Sequence, residues 1–229
     1  MLHLRIARID TFPTEAVDEP VPAWLGGSER LRWMTLAGER RREFVAGRRL
    51  LRATLARATA IAAEHWDIDT RDGAGPQVRG PVPLHASVSH RLGWVAAAVS
   101  DVNVGVDLEV ARAARSDAAE RAALMLAPDD LAAWHRLAAD RREAALLAAW
   151  TAKEAWFKAS APGAAPWDFR RVRARTCAPA WANVRTWEAG AVHVAVCCRD
   201  AAALAQVACD GLAPEAVDAF LDVGPAATR

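Results

Sequence analysis

A strand, a run of helices and a hairpin, followed by the same order again, is the feature that most narrows the folds open to this chain. The first strand reads from "LHLRIARI", where Leu2, Leu4 and Ile6 alternate with His3 and Arg5 in the period of a half-buried strand. A proline-rich loop and Gly26-Gly27 precede Ser28, the expected N-cap of a helix over "ERLRWMTLAG". A second helix is expected from about Glu39 to about His65, with Phe44, Leu51, Leu55 and Ala58 along one face. Arg48 borders that face, where a guanidinium either pairs with a carboxylate or meets a phosphate. Arg52, a turn further on, is expected to be more exposed. "LHASVSH" and "GWVAAAVS" then read as two strands joined at "RLG".

The second round opens with "VNVGVDLEV", which sends Val104, Val106 and Leu108 to one face and Gly105, Asp107 and Glu109 to the other. Helical patterning runs from Ser116 to about Lys158, broken near Pro128, and "ANVRTWEAG" and "AVHVAVCCR" form a further hairpin. "APEAVDAFLDV" is expected to be a last helix. The fold class is therefore α+β, read as two similar α+β subdomains, residues 1–104 and 105–229, with the last ~25 residues expected to pack back on the first half.

At 229 residues and 53% hydrophobic content the chain can bury a substantial core. A net charge of +1 argues against recruiting nucleic acid or an anionic membrane through a bulk field, so any basic site is local. No secretory signal pattern and no long apolar run is visible, and a cytoplasmic location is expected. Cys177, Cys197, Cys198 and Cys209 show no paired spacing and read as buried thiols.

Three groups of residues stand out. Asp107 and Glu109 share a strand face, where like charges repel unless a cation neutralises them; hard oxygen donors of this kind suit Mg²⁺. In "WTAKEAWFKA", Glu154 and Lys158 lie one helical turn apart. Lys153 and Lys158 are the only lysines among 29 basic residues, and a lysine is a compact point charge suited to a phosphate contact or proton transfer. Ser89 and His90 end a strand, where a histidine serves structure or meets a phosphate.

In order, "SVSHRLGWVAAAVS", "VGVDLE" and "WTAKEAWFKA" resemble the signature of the 4′-phosphopantetheinyl transferases of the larger, surfactin-type class. Gly105, Val106 and Asp107, then Trp150, Thr151, Lys153, Glu154, Ala155 and Lys158, match its two motifs at the family's separation of about forty residues. "EFVAGRRLLRATLA" is similar to the family's arginine-bearing second helix.

The resemblance implies a pseudo-twofold fold with coenzyme A in the cleft between the halves, and transfer of its phosphopantetheine arm to a serine of an acyl or peptidyl carrier protein, releasing 3′,5′-ADP. It implies that Asp107, Glu109 and Glu154 hold one Mg²⁺, with Mn²⁺ able to substitute, and that Arg48, Ser89, His90 and Lys158 contact coenzyme A. Glu154, Lys158 and Asp107 form the catalytic set, with the general base left open.

One departure is the turn Gly75-Pro76, which lacks the basic residue the family often carries there; Arg79 or Arg91 is expected to take its place. Arg112, Arg115 and Arg121, with Leu124 and Met125, are candidates for a carrier-docking surface. A monomer is expected. The rival readings are a degenerate module that only binds coenzyme A or carrier, and an arginine-rich nucleic-acid-binding protein.

Overall fold

A computed structural model describes residues 1–13, 21–69, 75–112, 117–160, 168–213 and 216–226. Strand β1 (Leu2–Arg8) turns Leu2, Leu4 and Ile6 into the core. Helix α1 (Gly27–Thr35) begins before Ser28: Gly26 is its cap, and the Glu29 carboxylate reaches back to accept the Gly26 N–H at 2.9 Å. Helix α2 (Gly38–Thr59) stops short of His65 because Ala60 takes the left-handed conformation (φ 56°, ψ 16°), which ends the i→i−4 ladder. The short β2 (Asp67–Asp69) and β3 (Gln77–Arg79) pair with each other. Strands β4 (His85–Arg91) and β5 (Trp94–Ser100) form a hairpin. Leu92 and Gly93 at its tip both have positive φ (45° and 80°), the turn that matches strand twist.

Strand β6 (Val104–Val110) leads to α3 (Ala118–Met125), α4 (Pro128–His135) and α5 (Ala139–Ala159). The expected break at Pro128 falls at the first turn of α4, where proline is tolerated. Then come β7 (Val172–Thr176), β8 (Val184–Ala189), β9 (Val192–Cys198), α6 (Ala201–Gln206), β10 (Cys209–Asp210) and β11 (Val217–Pro225). The last element corrects the expected final helix. Strand β11 lies between β8 and β7, which hydrogen-bond it on both sides; Val217, Phe220 and Val223 suit a strand, and pairing on both edges selects it over the helix.

The fold is α+β, with two main sheets ordered β10-β1-β5-β4 and β6-β9-β8-β11-β7. Helix α2 covers the face of the first sheet that carries Val95, Ala97 and Val99. Ala152 and Ala155 of α5 pack with Ala195 and Cys197 on the second. Between the sheets, Leu2, Leu4, Ile6, Ala96 and Ala98 meet Val104, Val106, Leu108, Val194 and Val196 in one shared core. The chain crosses to the second sheet before Val104 and returns for two residues when β10 adds parallel to β1. Among the described residues no helix is long and apolar enough to cross a membrane.

Contact between α5 and β6 depends on Gly105. A Cβ there would lie 2.0 Å from the carbonyl oxygen of Ala155 and 2.6 Å from the nitrogen of Ala159, both backbone atoms that yield only if the helix moves. Gly105→Ala is expected to destabilise the protein by about 3 kcal/mol, measured as a lower midpoint in urea unfolding.

Candidate active site

Strand β4 is the last strand of the first sheet and β6 the first of the second, and the site forms where these edges meet under α5. Period 2 sorts the side chains. On β4, Ala86 and Val88 pack with the α2 core, and His90 follows them to that side. Ser87, Ser89 and Arg91 take the other side, toward β6. On β6, Asp107 and Glu109 lie opposite in face to the core residues Val106 and Leu108.

Asp107 is the centre of the cluster. Its Oδ1 accepts from Lys158 Nζ at 2.6 Å and from the Ser89 hydroxyl at 2.9 Å. Its Oδ2 is buried and has no hydrogen-bond partner, an expensive position for a carboxylate oxygen unless a ligand completes it. Arg91 holds Glu109 at 3.0 Å. Burial pushes the Glu109 carboxyl above its ordinary value, Arg91 opposes this, and Asp107 adds to it. Glu154 is raised likewise, first by burial, with Lys158 opposing and Asp107 and Glu109 reinforcing. Three acids thus feel one another's charge.

No group of three or more His, Cys, Asp or Glu side chains among the described residues is arranged to hold a metal ion, so Asp107, Glu109 and Glu154 do not form a closed ligand cage. Mg²⁺ rarely asks for one: it takes one or two carboxylates and completes its shell with phosphate oxygens and water. The open Asp107 Oδ2 beside two proton-hungry carboxyls fits that requirement.

The opposite wall is cationic. His90 Nδ1 lies 3.3 Å from Glu43 Oε2, which Arg40 approaches at 3.8 Å. Burial lowers the His90 imidazole, Glu43 opposes this, and Arg40, Lys158 and Arg48 lower it further, so four cationic or potentially cationic groups share one region. Arg48 is buried against Glu29 at 3.3 Å and lies over the Phe44 ring. Arg52, expected to be exposed, is buried and binds Glu29 through both terminal nitrogens. The helical face alone does not reveal this, because Glu29 arrives from α1.

Of the two arginines expected to replace the missing turn residue, Arg79 approaches Asp69 and Asp67 at 3.6 and 3.9 Å. Arg91 goes to Glu109, since adjacent strand residues face opposite ways. Sequence reasoning missed Arg40 and Glu43, whose i,i+3 spacing on α2 was the available signal.

Residues 103–209 match the family model described as the 4′-phosphopantetheinyl transferase superfamily. The 4′-phosphopantetheinyl transferase psf-1 of Bacillus pumilus is 29% identical over 136 residues, which make up 59% of this chain and 55% of the relative. The chain thus spans about half the length of that relative. Overlap with the crystal structure of Thermotoga maritima holo-acyl-carrier-protein synthase is loose, with a TM-score of 0.33 and 20% identity over 49% of this chain and 77% of that one.

The matched segment contains β6 and α5, and with them Asp107, Glu109, Glu154 and both lysines. The lysines part company. Lys153 points away from Asp107 and is 0% exposed. Its ammonium donates to the carbonyls of Met125 at 2.9 Å and Phe169 at 3.2 Å, with Asp130 at 3.7 Å, so it ties the end of α3 to α5. Among the docking candidates, Arg121 is engaged by Asp117 and Glu143, Leu124 is 69% exposed, and Arg115 lies outside the described residues.

Burial lowers Lys153 from 10.5 to about 8, with Asp130 opposing. From about pH 8 to 10.5 the unfolded chain therefore keeps a proton that the folded one has released, and folding stability is expected to rise with pH across that window. Urea unfolding as a function of pH checks this. Lys153→Met is expected to lose the rise and to be less stable at every pH, because two buried carbonyls lose their donor.

Proposed function

We propose that this protein transfers the 4′-phosphopantetheine arm of coenzyme A to a serine hydroxyl of an acyl or peptidyl carrier protein, releasing 3′,5′-ADP. The observation that carries the reading is Asp107: a buried carboxylate with one open oxygen, set between Lys158 and two further acids, facing a wall of arginine and histidine. Such a site suits a polyphosphate held by cations on one side and a divalent metal on the other. The superfamily match over β6 and α5 supports the same reaction.

In this reading His90 and Arg48, with Arg40 beside them, receive the 3′-phosphate, and Lys158 reaches the pyrophosphate. Asp107, Glu109 and Glu154 hold Mg²⁺ or Mn²⁺. When bound, the ion offsets charge developing on the pyrophosphate oxygens. The serine oxygen forms a bond to the phosphorus that bears the pantetheine arm, and the bond from that phosphorus to the bridging oxygen breaks, leaving on 3′,5′-ADP.

The serine proton goes to Glu154. Asp107 Oδ1 already accepts two hydrogen bonds and Glu109 is paired with Arg91, which leaves Glu154 to take the proton, directly or through water. The exposed Leu124 on α3 and the exposed Arg112 offer an apolar and basic edge to an acidic carrier helix. A cytoplasmic monomer serving fatty acid, polyketide or nonribosomal peptide synthesis completes the reading.

Intact-mass spectrometry of apo carrier protein incubated with this protein, coenzyme A and Mg²⁺ tests it. One added phosphopantetheine is expected, abolished by EDTA and reduced about 100-fold or more in Glu154→Gln. Coenzyme A binding without transfer to any acyl or peptidyl carrier would favour the degenerate binding module instead.

A further inference from the structure

The edges of two sheets meet at this site without a backbone ladder between them. An edge strand leaves every second N–H and C=O without a strand partner, and a buried N–H needs an acceptor. Two of these groups on β6 find theirs in serine side chains. The Val106 N–H donates to Ser87 Oγ at 3.0 Å and the Leu108 N–H to Ser89 Oγ at 3.2 Å. Ser87 and Ser89 are 6% and 7% exposed. The serines are two apart on β4 and the amides two apart on β6, so one spacing serves both strands.

Hydrogen-bond capacity then decides what Ser89 can do. A hydroxyl has one proton and two acceptor positions. The Ser89 proton goes to Asp107 Oδ1 at 2.9 Å. Its oxygen accepts from Leu108 N–H, and Lys158 Nζ stands 3.5 Å away. Nothing remains for donation to a phosphate oxygen.

We infer that Ser89 is a positioning residue that fixes Asp107, rather than a ligand of coenzyme A, and that Ser87 and Ser89 together clasp the two sheets in register across the site. This reading differs from the expectation that Ser89 contacts the substrate, and it rests on the transferase reading for its catalytic consequence. By occupying Asp107 Oδ1, Ser89 and Lys158 leave Oδ2 as the oxygen presented to a cation. Ser87, which no sequence pattern marked, does the same structural work one step along the strand without touching an acid.

The test compares the wild-type chain with Ser89→Ala, Ser89→Cys and Ser89→Thr. Mn²⁺ binding is followed by electron paramagnetic resonance, and coenzyme A and 3′-dephospho-coenzyme A binding by calorimetry. Ser89→Ala is expected to weaken Mn²⁺ binding about 10- to 100-fold and to leave the preference for coenzyme A over the dephospho form unchanged. Cysteine, a weak donor of similar size, is expected to behave like alanine, and threonine to restore Mn²⁺ affinity. Unchanged Mn²⁺ affinity together with a lost preference for the 3′-phosphate would overturn the inference.

A wild-type protein that binds neither Mn²⁺ nor coenzyme A would overturn the transferase reading instead. The contact itself is then still read by unfolding: Ser89→Ala and Asp107→Asn are expected to be non-additive in urea, and additivity would overturn the positioning role.

Discussion

Strand β6 is approached from three directions, and the site exists because all three contacts are made at once. Strand β9 pairs with it along its whole length, Ser87 and Ser89 take two of its remaining amides, and α5 lies against it at backbone distance over Gly105. Each contact fixes a different coordinate of Asp107. The ladder sets which way its side chain points, the serines set its distance from the first sheet, and the glycine sets how near Lys158 and Glu154 come. Loss of any one would leave the same residues present with Asp107 less firmly placed.

Charge in the cleft is sorted by strand geometry. On β4 the alternation sends His90 toward α2, where Arg40, Glu43 and Arg48 wait, and sends Arg91 toward Glu109 on β6. A basic wall and an acidic wall thus arise from adjacent residues of one strand. Burial works against the contrast, raising the carboxyls of Glu109 and Glu154 and lowering the His90 imidazole, because the charged form of each group loses hydration. In the proposed reaction, a pyrophosphate and its metal would favour the charged forms on both walls.

The two lysines show how one helix serves two ends. Lys158 faces the cleft and holds Asp107. Lys153, five positions earlier, faces the other way and is consumed by the carbonyls of Met125 and Phe169. Scarcity of lysine marked both residues as unusual, yet only one of them reaches the acids. The other keeps α3 attached to the helix that carries Glu154 and Lys158.

Local patterns determined much of this protein. The alternation over residues 104–110, the hairpin at 84–100 and the spacing of Asp107, Glu154 and Lys158 are short-range properties of a chain with two soft dihedrals per residue, and they announce the elements and the acids from the sequence alone. What partners those elements find is a long-range matter. Residues 217–225 fall largely within the stretch expected to be a final helix but form a strand because β7 and β8 flank them. Arg52 was misread because Glu29 comes from another helix. Ser87 gave no signal because a serine hydroxyl acquires a role only when a bare edge amide is brought within 3.0 Å of it. Tertiary structure decided these points because hydrogen bonds and ion pairs depend on distance in space, which sequence separation does not encode.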